Sequence, residues 1–395
     1  MSWKNRIIEV LKKDKAALGM LLLVPIIVPF FLHFVYGNIF VEDIPFAVVD
    51  LDNSSLSRNI TQGLISHPGL DVCRFYESES QLEDSILRKK VIGGIIIPKG
   101  LSKDMNSPNS SKVLVVVDGS NMMTGGNASG YASQVIGTFN AGVQMNYLKG
   151  HGMSSSTVKN TMTSFSYTER VAYEPFLSYI CNIVYIVIPF VIQTYYLTTF
   201  LLPAYVEEKH YWINNNMNKK EKRQRIEFLL WRILVVAVTI CITSYLSFFI
   251  YAKIRNMPLR GSFLEYFALL FIFLMALSAI GLAISAFFNE KNLIYFIEFY
   301  FIISSMIVLT SGAVWPEYMM PSGMSLLIKS IWPFFHVAMP IKFVNLKGVG
   351  WETIMPYLFS CLIYFLVWLP IGLFFFKRKI RIKRGEPIEG DLLEG

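Results

Sequence analysis

An α-helical polytopic membrane protein of six spans, with one inserted α/β extracytoplasmic domain, is the fold class expected of this chain. Three observations lead there. The 395 residues are 53% hydrophobic and only 16% charged, against roughly 25% charged in ordinary soluble domains. Six apolar runs are long enough for a bilayer core about 30 Å thick, which takes roughly 20 helical residues. Between the first two runs lies a stretch of another kind, residues 41–176, nearly neutral with 11 basic and 13 acidic residues.

The elements follow in order. Residues 1–16 set Trp3, Ile7, Val10 and Leu11 at helical spacing, with Lys4, Arg6 and Lys12 on the other faces. That pattern predicts a short amphipathic helix at the cytoplasmic interface, or a continuation of the first span. The first span lies in residues 17–40, with its apolar run at Ala17–Tyr36. Gly37-Asn38-Ile39-Phe40 is no small-residue cleavage site, so the span reads as an uncleaved signal anchor. In residues 41–176 the β-type runs Phe46–Val49, Val91–Ile97 and Val113–Val117 alternate with helix-like Ser54–Ser66 and Ser78–Lys90. Strand–helix alternation indicates a small α/β domain. Two further helical stretches, about Asn127–Lys149 and Ser154–Arg170, lead back to the membrane. Residues 177–376 hold the other five spans: Leu177–Leu202, Phe228–Tyr251, Phe263–Phe288, Leu293–Gly312 and Ile354–Phe376. A basic tail, 377–395, follows.

Charge placement sets the orientation. Eighteen basic residues flank one side of the spans, and six lie in the short loops of the other. The positive-inside rule then places both termini in the cytoplasm. The net charge of +8 is therefore a topology signal. No contiguous basic face interleaved with aromatics is present, which argues against nucleic acid. Cys181, Cys241 and Cys361 lie in apolar runs, leaving Cys73 without an outside partner. No disulfide framework and no CxxC metal pair is available.

Catalytic chemistry finds no support. His67 and His151 sit in no metal-spaced cluster. The serines lack a Gly-x-Ser-x-Gly elbow. Asp50 and Asp52 resemble a cation pair, but Asp-x-Asp-Asn-Ser after a strand is ordinary turn and cap chemistry. The chain holds no Gly-Lys dipeptide and hence no phosphate-cradling P-loop. No catalytic and no metal residue is expected.

The order of parts, together with several strings, resembles ABC-2 type transporter permeases of the bacterial exporter class. Ala47-Val48-Val49-Asp50 with Asp52-Asn53-Ser54 is similar to that family's first outside strand and turn. Gly94-Ile95-Ile96-Ile97-Pro98-Lys99-Gly100 and Val115-Val116-Val117-Asp118-Gly119-Ser120-Asn121 are similar to its strand ends. Arg170-Val171-Ala172-Tyr173-Glu174-Pro175 resembles its approach to the second span, where Tyr-Asn-Pro is more usual. Ser311-Gly312 through Trp315-Pro316, Met320-Pro321 and Trp332-Pro333 resembles the loop after the fifth span.

The resemblance implies a cytoplasmic coupling loop at 205–227, with Glu207, Glu208 and Lys209 contacting an ABC ATPase subunit. Glu-Lys-Gly-Thr is frequent there, and Glu208-Lys209-His210-Tyr211 keeps only the first half. ATP and magnesium would then belong to that partner, with no cofactor in this chain. It also implies a second permease chain, alike or related, and a periplasmic adaptor where there are two membranes. The location implied is the bacterial plasma membrane. The cargo implied is an amphipathic or lipid-like solute moved outward. Residues 313–344 are apolar but broken by Pro316, Pro321, Pro333 and Pro340. Two short re-entrant helices near the outer exit fit that pattern, as does an interfacial loop with Trp315 and Trp332 as belt aromatics. Within spans, Glu298 and Gln193 are candidate polar sites. For Glu298 an interfacial pair with Lys291 is the alternative. A receptor or scaffold on the same membrane plan is the rival function. An ion-coupled carrier is less supported, since no second broken region appears.

Overall fold

The computed structural model describes residues 9, 12–35, 42–104, 112–120, 122–150, 179–255 and 257–384. Trp3, Ile7, Val10 and Leu11, the string 37–40, the stretch 154–170, the string 170–175 and the tail beyond Arg384 lie outside them. The chain forms two units: Met1–Gly37 with Tyr179–Gly395, and Asn38–Ser178.

The helical unit opens with α1 (Lys15–Val35), which carries Pro25 and Pro29. Pro29 has no N–H to give the Pro25 carbonyl. The Ser247 hydroxyl donates to that carbonyl instead, as a membrane interior demands.

The inserted unit follows: β1 (Ile44–Asp50), α2 (Ser55–Ile65), β2 (Leu70–Tyr76), α3 (Glu79–Leu87), β3 (Gly93–Ile97), α4 (Leu101–Asp104), β4 (Leu114–Val117) and α5 (Met122–Gly150). The sheet order is β2-β1-β3-β4, with β4 alone antiparallel to its neighbour. The period of two sends Ile44, Phe46 and Val48 of β1 to one face and Ala47 and Val49 to the other. The first set packs with Ile60 and Leu64 of α2 and with Ala128 and Ala132 of α5. The second packs with Leu82 of α3. β1 is thus buried on both sides, which is why it reads as a continuous apolar run. β2 was not anticipated: it is an edge strand that buries only Leu70.

Both candidate cation ligands of this unit are occupied. Asp50 accepts the amides of Asp52 and Asn53 at 3.0 Å and the Ser57 hydroxyl at 2.7 Å. Asp52 accepts the amides of Gly100 at 2.8 Å and Ser102 at 3.2 Å, joining the β1 turn to α4. The Ser54 hydroxyl first, then those two amides, hold the Asp52 carboxyl below its ordinary value of 3.8. A carboxyl depressed on folding stabilises the native state above its unfolded pKa, and that contribution is lost as pH falls through the folded one. Asp52→Asn is expected to flatten the acid side of the full chain's stability profile below about pH 4. Thermal unfolding midpoints from pH 3 to 6 check this; an unchanged slope would contradict it.

The helical unit resumes with α6 (Tyr179–Tyr195), a π-helical turn (Tyr196–Leu201), α7 (Leu202–Asn214), α8 (Lys219–Arg255), α9 (Phe263–Ser285), α10 (Glu290–Leu309), a 3₁₀ turn (Glu317–Met319), α11 (Ser322–Ile331), α12 (Phe334–Lys347) and α13 (Trp351–Arg384). Among the described residues, six helical stretches are long and apolar enough to cross a membrane, or seven if the bent pair α11–α12 counts as one span. Segment 205–227 is not a loop: helix continues to Asn214 and resumes at Lys219, so only residues 215–218 break it. Glu207, Glu208, Lys209 and Arg225 of this segment find partners inside the unit, whereas Lys219 and Lys220 are exposed.

α9 is the central helix, buried along most of its length, and α13 lies along it. A Cβ on Gly372 would meet the Ala279 carbonyl at 3.0 Å and the Ala283 amide at 3.1 Å. Small residues at such crossings let backbones approach where lipid supplies no hydrophobic drive. Gly372→Leu is expected to cost about 1–3 kcal/mol by overpacking. Thermal unfolding in detergent checks it; an unshifted midpoint would contradict the close crossing.

Candidate functional site

Six helix ends meet at one end of the helical unit: the starts of α1, α8 and α10 and the finishes of α7, α9 and α13. Polar contacts tie them together. Just before α1, Asp14 takes two hydrogen bonds from Arg232 of α8, at 2.6 Å and 2.9 Å. Both side chains are buried, at 4% and 8% exposure. Glu207 bridges Arg232 at 3.4 Å and Lys13 at 2.8 Å. At the next position of α7, buried Glu208 accepts Arg225 Nε at 2.7 Å and Nη2 at 3.0 Å, and Trp212 Nε1 at 2.9 Å. Arg225 also lies 3.5 Å from the centre of the Tyr211 ring. Glu208 therefore fastens α7 to α8 across residues 215–218.

Lys209 binds elsewhere. Its ammonium donates to the carbonyls of Ser285, Ala286 and Phe288 at the finish of α9. The last carbonyls of a helix lack partners within it, and their dipoles favour a cation. A buried lysine is stable here for that reason. Lys383 of α13 reaches Asn289 Oδ1 at 3.0 Å, and Arg384 donates to the Asn215 carbonyl.

The three expected coupling residues therefore differ. Glu207 is exposed; Glu208 and Lys209 are buried and bonded inside this chain. The outward surface of the hairpin is formed instead by Tyr211, Asn214, Lys219, Lys220 and Arg223, with Lys222 half-buried beside them. Asp14, Arg225 and Arg232 escaped the sequence reading. Arg232 carried a usable signal, since an arginine inside an apolar run is a candidate by default.

A second polar cluster lies between α6 and the broken region. α11 and α12 meet at 92° around Trp332-Pro333. Gln193 Oε1 accepts Trp332 Nε1 at 3.1 Å, both buried, and the Tyr300 ring lies 5.5 Å from the Trp332 ring. Gln193 is thus brought to the break itself. Pro316, Pro321 and Pro333 each stand at a helix start, where a missing N–H costs nothing. The orphaned carbonyls closing α11 all have partners. His336 Nε2 lies 3.0 Å from that of Lys329, Tyr364 donates to Ile331 at 2.7 Å, and Trp368 to Ser330 at 3.1 Å. Irregular backbone at membrane depth requires this. Glu298, by contrast, is exposed on α10, and among the described residues it forms no ion pair with Lys291.

The family described as ABC-2 family transporter protein matches residues 15–374. That match covers α1, the inserted unit and all but the last turns of α13. The chain belongs to the ABC-2 transporter family. A comparison with curated proteins returns no match. ABC-2 chains are membrane subunits of ABC-type transport, and membership implies an ABC ATPase subunit as partner. In this ABC-2 subunit the joined helix ends and the bent helix pair are the two places where polar chemistry is concentrated.

Proposed function

We propose that this chain is the permease subunit of an exporter in the bacterial plasma membrane, with both termini cytoplasmic. ATP and magnesium act on a separate ATPase, and an amphipathic or lipid-like solute moves outward. The observation that carries the reading is the α7–α8 hairpin. It offers an exposed basic and aromatic surface, while Glu208 and Lys209 behind it grip α8 and α9. A push on that surface is transmitted to two spans through bonded side chains. The π-helical turn between α6 and α7, whose Thr198 and Thr199 hydroxyls donate to the carbonyls of Thr194 and Tyr195, is a local irregularity of the kind found at functional sites.

A second permease chain, identical or related, completes the path. Glu298 supports this, because a carboxylate on an apolar span is costly against lipid and this chain leaves it uncovered. Outside, the inserted domain is the surface for a periplasmic adaptor. Reversing Lys219, Lys220 and Lys222 to Glu is expected to abolish co-purification of the ATPase from the native host, without lowering the amount of folded chain. An ATPase retained by that variant would overturn the docking surface.

A further inference from the structure

A cavity of about 610 Å³, open on one side, runs between α9, α10, α11 and α13. Phe288, Phe296, Ile303, Trp332, Trp368 and Phe375 line it, and no charged residue does. A second cavity, of about 270 Å³, lies among the helix ends and is lined by Lys209, His210, Glu290, Lys291 and Lys383. The two meet at Phe288. Its ring lines the apolar groove and packs 4.6 Å from Phe296. Its carbonyl is held by Lys209, which lines the basic pocket.

α13 passes along both. Phe375 lies in the groove, and Lys379 and Lys383 follow at i+4 and i+8 on the same stripe of that helix. Lys383 is held toward the pocket by its bond to Asn289. Glu290 is the single acid against three lysines and one histidine. An apolar groove on a membrane span loses dispersion contacts unless something fills it, and acyl chains are the filler at hand. A basic pocket between helix ends attracts an anionic head group. One class of molecule carries both halves.

We propose that groove and pocket together hold one anionic phospholipid of the leaflet at the basic helix ends. Its acyl chain lies between α9, α10 and α13, and its phosphate faces Lys291 and Lys383. The lipid fills the seat of α10, which the chain itself buries little. The inference does not depend on the transport reading.

The test uses the full chain in mild detergent, titrated with phosphatidylglycerol or phosphatidylcholine of matched acyl chains and read by native mass spectrometry. The expected result is one phosphatidylglycerol per chain, bound about tenfold more tightly than phosphatidylcholine. Lys291→Gln with Lys383→Gln is expected to remove the preference. Ile303→Trp, which fills the groove at a position 38% exposed, is expected to remove binding of both lipids while leaving every charge in place. All three side chains are exposed, so these variants are expected to keep the native unfolding midpoint in lipid-free detergent. Equal binding of the two lipids by the native chain, a preference that survives the double glutamine change, or lipid retained by Ile303→Trp would each overturn the proposal.

Discussion

Replacing Arg232 with Met is expected to destabilise the helical unit by about 3–5 kcal/mol, because it strands a carboxylate inside the protein. Asp14 is buried and takes two of its hydrogen bonds from Arg232. Removing one member of a buried pair leaves an uncompensated charge, whereas removing both leaves only a shape to refill. Arg232→Met combined with Asp14→Leu is therefore expected to recover most of the loss. Arg232→Lys is expected to fall between, since an ammonium cannot make the two parallel bonds of a guanidinium. Thermal unfolding of the native chain, Arg232→Met, Asp14→Leu and the double variant in one detergent reads the cycle. A double-variant loss equal to the sum of the two single losses would show that the two side chains do not act as a pair.

Lys209→Met is expected to cost ~3 kcal/mol and to remove transport. Three carbonyls at the finish of α9 lose their shared donor, and a dry unpaired acceptor costs about 1–3 kcal/mol. Two effects reduce the sum: the buried ammonium is no longer desolvated, and water in the adjacent cavity reaches some of the carbonyls. The functional loss does not shrink in that way. With Lys209 gone, α7 no longer grips α9, and under the proposed function the motion of the hairpin is expected to stop there. The variant is expected to keep its ATPase and its ATP hydrolysis but lose export from cells. Lost ATPase binding would place Lys209 at the docking surface, and unchanged export would remove it from the mechanism.

The spans were legible because each is a long apolar run, and composition alone is enough to detect one. β1 and β3 were legible for a related reason: strands buried in the middle of a layer are apolar throughout, and β4, though at an edge, still shows as an apolar Leu-Val-Val-Val run. β2 was hidden because Leu-Asp-Val-Cys-Arg-Phe-Tyr sits at an edge and buries a single side chain. The prolines of 313–344 announced the break, but the donors that satisfy it, His336, Tyr364 and Trp368, come from other helices. The joined helix ends were half visible. Glu207, Glu208 and Lys209 stand out by resemblance, but that Glu208 and Lys209 turn inward is decided by partners on other helices. Asp14 and Arg232 lie 218 positions apart, and no local pattern connects such a pair.

The most direct test of the central claim is ATP hydrolysis by the complex purified in mild detergent from the native host. The expected result is vanadate-sensitive hydrolysis that co-elutes with this chain and disappears when Lys219, Lys220 and Lys222 are reversed to Glu. A folded chain that elutes without hydrolysis in every mild detergent would contradict it, and the inserted α/β unit would then be the place to search for function.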